Sequence, residues 1–576
     1  MNPNKDYKNW SKDKLLHEYK ELLKRKKFGI VWEDRPEELA ELCKSSLPVL
    51  VEDESKSFQS NKGDIDHIII EGDNYHALSV LNYTHKRKID TIYIDPPYNT
   101  GNKSWKYNNN YVEKEDRYKH SKWLSFMAKR LRLARNLLTE RGIIVVAIDD
   151  YEHHTLRALM DELYGEQNRL STIVVVHNPR GRNDDKYFAT MHEYLLVYAK
   201  NKDQAKVKHF DFTDEDLNEF AKQDEISAYS EASFMRTGNN SDRSTRRNLY
   251  YSIYYNKKTS EMSLEKDRGS IELLPINEKG EEKTWRWGKE TFSEKWRTEL
   301  LVREVKGKLR VFKKRRVIDI PGRKPRTVWY NPKYDASSNG ISVLNKILGN
   351  KHGFPYPKSL YAVQDIIELI SYKDSIVLDF FAGSGTTGQA VLNLNKKDGG
   401  SRQFILSTDN QDNNGDGTKI AEDICYPRVR NIIRGYISNE QPVEGLGGNL
   451  KYYATKLVDN IKTDNDKRIF TSYSTEMLCL AESTFNEVFR TKGFSIYENE
   501  KQITGIVIDE DEIEQFKSIA IKYSKPVVVY VFSYDHTYNE EDFGDLPNLK
   551  VVKPIPEVIL NVYRKIYKEI YRPRNL

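Results

Sequence analysis

The chain has 576 residues, 38% of them apolar and 31% charged, with a mean hydropathy of −0.74. At roughly 150 residues per domain this implies three to four domains with a heavily solvated surface, and no apolar run approaches the roughly 18 residues a membrane span needs. With 92 basic and 86 acidic residues the net charge is only +6, so any nucleic-acid binding must come from local clustering.

The N-terminus, MNPNKDYKNWSKDK, lacks the hydrophobic core of a secretory signal. Cys43, Cys425 and Cys479 are far apart with no CxxC pair, which argues against a disulfide scaffold or a cysteine zinc site and points to a reducing cytoplasm. Residues 1–60 read as a helical segment, with KDKLLHEYKELLKRKK a solvated peripheral helix. From residue 61 short β-branched runs alternate with helical stretches. DHIIIEGD reads as a strand ending in a Gly-Asp turn, and IDTIYIDPPY as a strand ending at a Pro-Pro break. Tyr118 to Arg141 reads as a long amphipathic helix with Trp123, Met127, Leu131, Ala134 and Leu138 on one face. GIIVVAIDD is a buried strand, and STIVVVH and EYLLVYAK read as sheet-edge strands. The polar stretch 205–345, rich in Tyr, Trp, Lys and Arg, carries no long periodic pattern. Strand and helix signals return at KSLYAVQDIIELI, DSIVLDFFAGSGTTGQAVLNLN and SRQFILSTDN, and again at ITGIVID and KPVVVYVFS. The expected fold is α/β, one mostly parallel doubly wound sheet interrupted by an insertion, with a catalytic half (61–204), a cofactor half (346–440) and a C-terminal α/β domain (441–576).

Two turns carry the chemistry. Asp379-Phe380-Phe381-Ala382-Gly383-Ser384-Gly385-Thr386 lies between a predicted strand and helix. Glycines there let backbone approach a ligand, and the helix N-terminus presents free N–H groups. Gly383 to Gly388 matches GxGxxG, and Asp409 falls 21 residues after Gly388, the spacing at which an acid meets a ribose hydroxyl. This indicates a nucleoside-containing cofactor and leaves dinucleotides open. Asp379, at the strand end, suits a ligand bearing an ammonium group better than a pyrophosphate and tilts the choice toward S-adenosylmethionine.

The second turn is Asp95-Pro96-Pro97-Tyr98. Two prolines fix two φ angles and remove two N–H donors, so the Pro96 carbonyl can point outward as an acceptor beside the Asp95 carboxylate, with Tyr98 as a flat face. That set suits an exocyclic amine on a planar base. The acceptors take its two hydrogens, the ring stacks, and the polarised nitrogen gains the lone pair it needs to attack a methyl group.

These residues resemble the S-adenosylmethionine-dependent DNA amino-methyltransferases of the β class, in which DPPY precedes the cofactor FxGxG. IIIEGDNYHAL, FPYPKSL, HEYLLVYAK, FMRTGNNSDRSTRRNLYYSIY and WEDRPEEL further resemble modification subunits of type III restriction–modification systems. The resemblance implies a Rossmann-like sheet with an antiparallel edge strand. It implies that Asp95, Pro96 and Tyr98 hold the base while Pro97 stiffens the turn, and that residues 379–386 line the cofactor with Asp409 on its ribose. Pro357 and Lys358 would sit near the methionine end, and Asp73 and Asn74 are further cofactor candidates. Asp rather than Ser before Pro-Pro-Tyr implies adenine N6 over cytosine N4. The partners implied are double-stranded DNA, with a restriction subunit and a homodimer left open. The product is S-adenosylhomocysteine, and no metal is called for.

In the insertion, the run from Arg303 to Arg326, with Lys313, Lys314, Arg315 and Arg316 at its centre, is opposed in sequence only by Glu304 and Asp319 and suits phosphate contact. Arg236, Arg243, Arg246 and Arg247, with Asn239 and Asn240, suit base edges as well. Trp285, Trp287 and Trp329 read as core aromatics of this domain. A non-catalytic DNA-binding subunit of the same fold is the alternative, against which the intact DPPY and FAGSGTT count. No GxxxxGK[ST] loop is present, and Asp509-Glu510-Asp511-Glu512 reads as solvated charge.

Overall fold

The structure, a computed structural model, describes residues 10–17, 43, 46–61, 63–99, 119–181, 185–350, 352–410, 417–459, 463–534, 538 and 540–570. Residues 12–17 of the expected N-terminal helix are helical, while the rest of it and WEDRPEEL lie outside the described residues. Contacts divide the chain into two compact units, one of residues 1–207 and 326–576, the other Lys208–Pro325.

The larger unit is built on a ten-stranded sheet. Its strands are β1 (Ser46–Glu52), β2 (Asp66–Glu71), β3 (Ile89–Ile94), β4 (Leu138–Ile148), β5 (Arg169–Val176), β6 (His192–Ala199), β7 (Val328–Trp329), β8 (Ile376–Asp379), β9 (Gln403–Thr408) and β10 (Asn449–Asp459), in the order β1-β10-β2-β9-β8-β3-β4-β6-β5-β7. The run from β10 to β4 is parallel. β3 is buried at every residue, as a strand covered on both faces must be. Thr91 faces the helix Leu360–Ile370, to whose last carbonyl its hydroxyl donates (3.3 Å), while Ile92 and Ile94 join the apolar cluster beneath Asn74–Thr84 and Lys119–Leu137. The chain is therefore doubly wound. We label the helices α1 (Asn74–Thr84), α2 (Lys119–Leu137), α3 (His153–Tyr164), α4 (Leu360–Ile370), α5 (Thr386–Asp398) and α6 (Tyr426–Arg434).

Several expectations are corrected. β5 and β6 are not edge strands: β6 runs antiparallel to both β4 and β5, and β5 is covered by the short β7. The tail of the predicted helix 118–141 joins β4, where Leu138 pairs with Ile89 and the Thr139 and Arg141 side chains reach Asp90. Two strands outside the expected sheet halves extend its other end. β1 lies within the segment read as helical, and β10 within the C-terminal portion; β10 pairs parallel to β2 and antiparallel to β1. Residues 486–555 then form a five-stranded sheet. Tyr530, Phe532, Ile555 and Tyr563 from this C-terminal part share one apolar cluster with α1, α2 and β3, so it does not stand apart from the large core.

The smaller unit, Lys208–Pro325, is shorter than the expected 205–345, because residues 328–329 complete the large sheet. It holds a four-stranded antiparallel sheet, a three-stranded one and the helix Lys289–Glu299. Phe234 stacks on Trp285 (5.3 Å between ring centres) in its core, with Trp287 beside them, as expected of core aromatics. Trp329 is buried in the larger unit, stacked on Tyr334. All three cysteines are buried, and no described helix is long and apolar enough to cross a membrane.

Candidate active site

The prolines end β3 because they cannot donate to a neighbouring strand. The Trp123 indole on α2 donates to the Pro97 carbonyl (2.6 Å), while the Pro96 carbonyl accepts no hydrogen bond among the described residues. The next residue, Asn99, is left-handed (φ 57°), a conformation that Asn tolerates better than most residues. Its amide donates to Glu152 (2.6 Å), a fully buried carboxylate also bonded by His120 (2.7 Å) and the Thr155 hydroxyl. Both sides of the turn are thus anchored.

Asp95 and Tyr98 belong to a four-residue cluster. The Tyr98 hydroxyl donates to Asp95 Oδ1 (2.6 Å) and accepts from the Lys358 ammonium. Lys358 also binds Glu193 Oε2 (2.7 Å) and reaches Asp95 Oδ1 (3.2 Å). Burial pushes the Asp95 carboxyl up, against the pull of Lys358. Burial opposes ionisation of Glu193 too, but the Lys358 charge outweighs it and holds this carboxyl below its usual range. The ammonium, disfavoured by burial, is held charged by both acids. The cluster carries one cation and two carboxylates, leaving one excess negative charge. Lys358, expected near a cofactor's methionine end, reaches the Asp95–Tyr98 corner.

The glycine turn leaves β8 at Asp379. This buried carboxylate accepts from the Phe381 N–H (3.0 Å) and the Thr387 hydroxyl (2.6 Å), and burial pushes it up to about 7, with the Asp95 charge adding to the rise. Gly385 (φ 77°) caps α5 in the left-handed region that favours glycine, and a Cβ there would press on Cys425 Sγ at 3.2 Å. Ser384 and Thr386, expected to face a cofactor, turn their hydroxyls to Arg428 of α6 (3.0 and 2.8 Å). Arg428 is fully buried, and that burial lowers its guanidinium to about 10. Asp73 caps α1 through the Tyr75 N–H (2.7 Å), and Asn74 donates to the Phe380 carbonyl (2.8 Å). Buried Arg130 grips both Asp73 and Asn74. These two hold the wall of the turn. Asp409, half-buried past β9, accepts from the Asn410 N–H (2.7 Å), and Pro357 is buried with its carbonyl close to Gly340.

Register joins the two turns. Thr91 pairs with Val377 and Ile92 with Leu378, so Asp379 lies beside Tyr93 and Asp95 is two residues further along. At the usual strand spacings this separates the two aspartates by about 8 Å, on the same face. Both open at the carboxyl ends of adjacent parallel strands, where α/β sheets bind ligands.

In the smaller unit the basic run is largely neutralised by acids distant in sequence. Arg316 is buried and bonds Asp224 (2.8 Å) and Glu299 (2.9 Å), Lys314 bonds Asp224 (2.7 Å), Arg310 pairs with Glu278 and Arg303 with Glu231. Arg316 and Lys314 are therefore structural rather than phosphate-facing. Lys313 lies over the Trp287 ring, and Arg315 is half-exposed over Phe220. Arg243 is held by Glu282 (2.9 Å), Arg236 is partly buried, and Arg246, Arg247, Asn239 and Asn240 are exposed on one loop. Sequence reasoning missed Glu193, Glu152, Arg130 and Arg428. A lone Glu inside the apolar run of β6 was the one available signal.

Residues 89–440 match the profile of a family described as DNA methylase. The type III restriction-modification enzyme EcoPI Mod subunit of Escherichia phage P1 is 33% identical over 387 residues, covering 62% of this chain and 59% of that protein. The type II methyltransferase M.KpnI of Klebsiella pneumoniae is 37% identical over 342 residues, covering 59% of this chain and 79% of that one. The type III StyLTI Mod subunit of Salmonella typhimurium is 28% identical over 406 residues, covering 64% of this chain. The chain spans 59% and 56% of the two Mod subunits, less than two thirds of either.

Proposed function

The chain belongs to the DNA methylase family, and from that premise we propose that it transfers a methyl group from S-adenosylmethionine to the N6 amino group of an adenine extruded from double-stranded DNA. The observation that carries this reading is the register between β3 and β8, with an amine-binding turn and a glycine turn at adjacent strand ends. Asp95 and the Pro96 carbonyl accept the two amine hydrogens, and Tyr98 gives the purine a stacking face. S-adenosylmethionine supplies the electrophilic methyl when bound. As nitrogen takes that methyl it becomes positively charged, and the excess negative charge of the Asp95–Glu193–Lys358 cluster stabilises it. Asp95 then accepts the departing proton. A carboxylate at Asp379, buried at the end of β8 where the glycine turn begins, fits the cofactor's ammonium. The exposed Arg246–Asn239 loop serves DNA contact. The relatives named as Mod subunits support a place as the modification component of a restriction–modification system, with cleavage in a separate subunit.

Sequencing DNA from cells expressing the chain, read for modified bases, tests this: N6-methyladenine at one recurrent sequence is expected. N4-methylcytosine would overturn the adenine assignment, and unmodified DNA the activity.

The buried Asp379 adds a pH dependence. Its carboxyl sits at about 7, so below neutrality a proton must leave before it can meet an ammonium group. Cofactor affinity is expected to weaken by about tenfold per pH unit below 7 and to level off above it. Titration calorimetry in two buffers of different ionisation enthalpy should show proton release on binding at pH 6.5 and almost none at 8.5. Asp379→Asn should abolish that release.

A further inference from the structure

The larger unit exposes aromatic rings unevenly. Of the seven Tyr and Phe side chains that are exposed among the described residues, six lie in segments at the carboxyl edge of the sheet: Tyr151, Tyr187, Phe188, Tyr330, Tyr356 and Tyr361. Tyr151 follows β4, Tyr330 follows β7, Tyr356 precedes Lys358 by two residues, and Tyr361 opens α4. The extreme cases are adjacent. Tyr187 is 81% exposed and Phe188 91%, on the connection from β5 to β6. Isolated exposed rings are ordinary, but two successive ones this bare leave water as their main neighbour.

Both ends of that connection are tied to the catalytic corner. β6 begins at His192, and the next residue, Glu193, places its carboxylate 3.2 Å from the Tyr98 hydroxyl. β5 ends at Val176, and His177 lies 4.0 Å from the same carboxylate. The base of the connection is closed as a hairpin. The His177 and Asn178 N–H groups donate to the Met191 carbonyl, and a Cβ on Gly181 (φ 72°) would meet Ala189 at 2.6 Å. Arg180 and Lys186, both exposed, flank the rings, with the Lys186 ammonium 5.2 Å from the Tyr187 ring centre.

We propose that the Tyr187–Phe188 tip enters the duplex beside the target and fills the gap left by the extruded base, with Arg180 and Lys186 on flanking phosphates. This rests on the methyltransferase reading above. Two rings, at about 150–250 Å² each, fall short of the roughly 800 Å² per partner that a stable protein interface needs, whereas one or two rings are what a base step accommodates. Stacking is worth about tenfold or more per ring, comparable with the penalty for unpairing a base.

The test uses the full chain, Tyr187→Ala/Phe188→Ala, and duplexes carrying the mapped site with the target adenine either paired or facing an abasic position. Both positions are exposed, so folding is unaffected, and cofactor affinity should be unchanged. On the paired duplex single-turnover methylation should fall about 30-fold, and the fluorescence rise of 2-aminopurine placed at the target should be lost. On the abasic duplex the rate should lie within about threefold of the unsubstituted chain, because extrusion no longer opposes it. Equal loss on both duplexes, or no loss on the paired one, overturns the wedge. An unsubstituted chain inactive on both overturns the methyltransferase reading itself.

Discussion

Asp95→Ala is expected to slow methyl transfer by about 10³-fold or more while leaving cofactor affinity within about threefold of the parent. The carboxylate serves twice: it accepts an amine hydrogen before transfer and faces the nitrogen as positive charge grows. Both interactions strengthen toward the transition state, so the loss falls on kcat rather than on DNA affinity. The fold survives, because Lys358 keeps Glu193 as a partner at 2.7 Å and the Pro97 carbonyl stays bonded to Trp123. Asp95→Asn keeps one acceptor without the charge and should fall between, at about 10- to 100-fold. Single-turnover transfer of labelled methyl measures both. Undiminished transfer by the alanine variant would mean that the amine is held elsewhere.

The two turns were legible because each packs its chemistry into consecutive residues. Asp95 to Tyr98 and Asp379 to Gly385 need only local rules about proline, glycine and strand ends. What surrounds them was not legible, since each partner arrives from a remote part of the chain. Lys358 reaches Tyr98, Arg428 reaches Ser384, and Arg130 reaches Asn74 only once the sheet has formed. The same limit explains the basic run. Counting charges along the chain leaves it almost unopposed, but an antiparallel strand turns alternate residues to opposite faces, and Asp224 meets Arg316 and Lys314 across the fold. β10 escaped for a topological reason. Its parallel pairing with β2 joins residues some 380 positions apart (Asn449 with Asp66), and no local pattern encodes such a contact.

Lys358→Met should have the largest combined effect, on rate and on stability. It leaves Asp95 and Glu193 facing one another in a buried site without their cation, which costs about 3–5 kcal/mol where such a pair is broken. The acids respond by holding a proton, and the two consequences run in opposite directions with pH. Asp95 must be ionised to accept the amine hydrogen, so residual activity should rise with pH as that proton is lost. Stability should fall over the same range: above about pH 4 the unfolded chain has released a proton that the folded variant keeps, and each further unit of pH favours the unfolded state. In the unsubstituted chain Lys358 holds Glu193 ionised, and this slope is absent from that carboxyl. Adding Glu193→Gln to Lys358→Met removes one of the opposed acids and should restore much of the stability, though not the rate. Thermal melts across pH 5–8, set beside single-turnover rates over the same interval, separate the two effects. Parallel pH slopes for rate and stability would show that Lys358 merely packs the site, whereas opposed slopes identify it as the charge that keeps Asp95 ready to accept a proton.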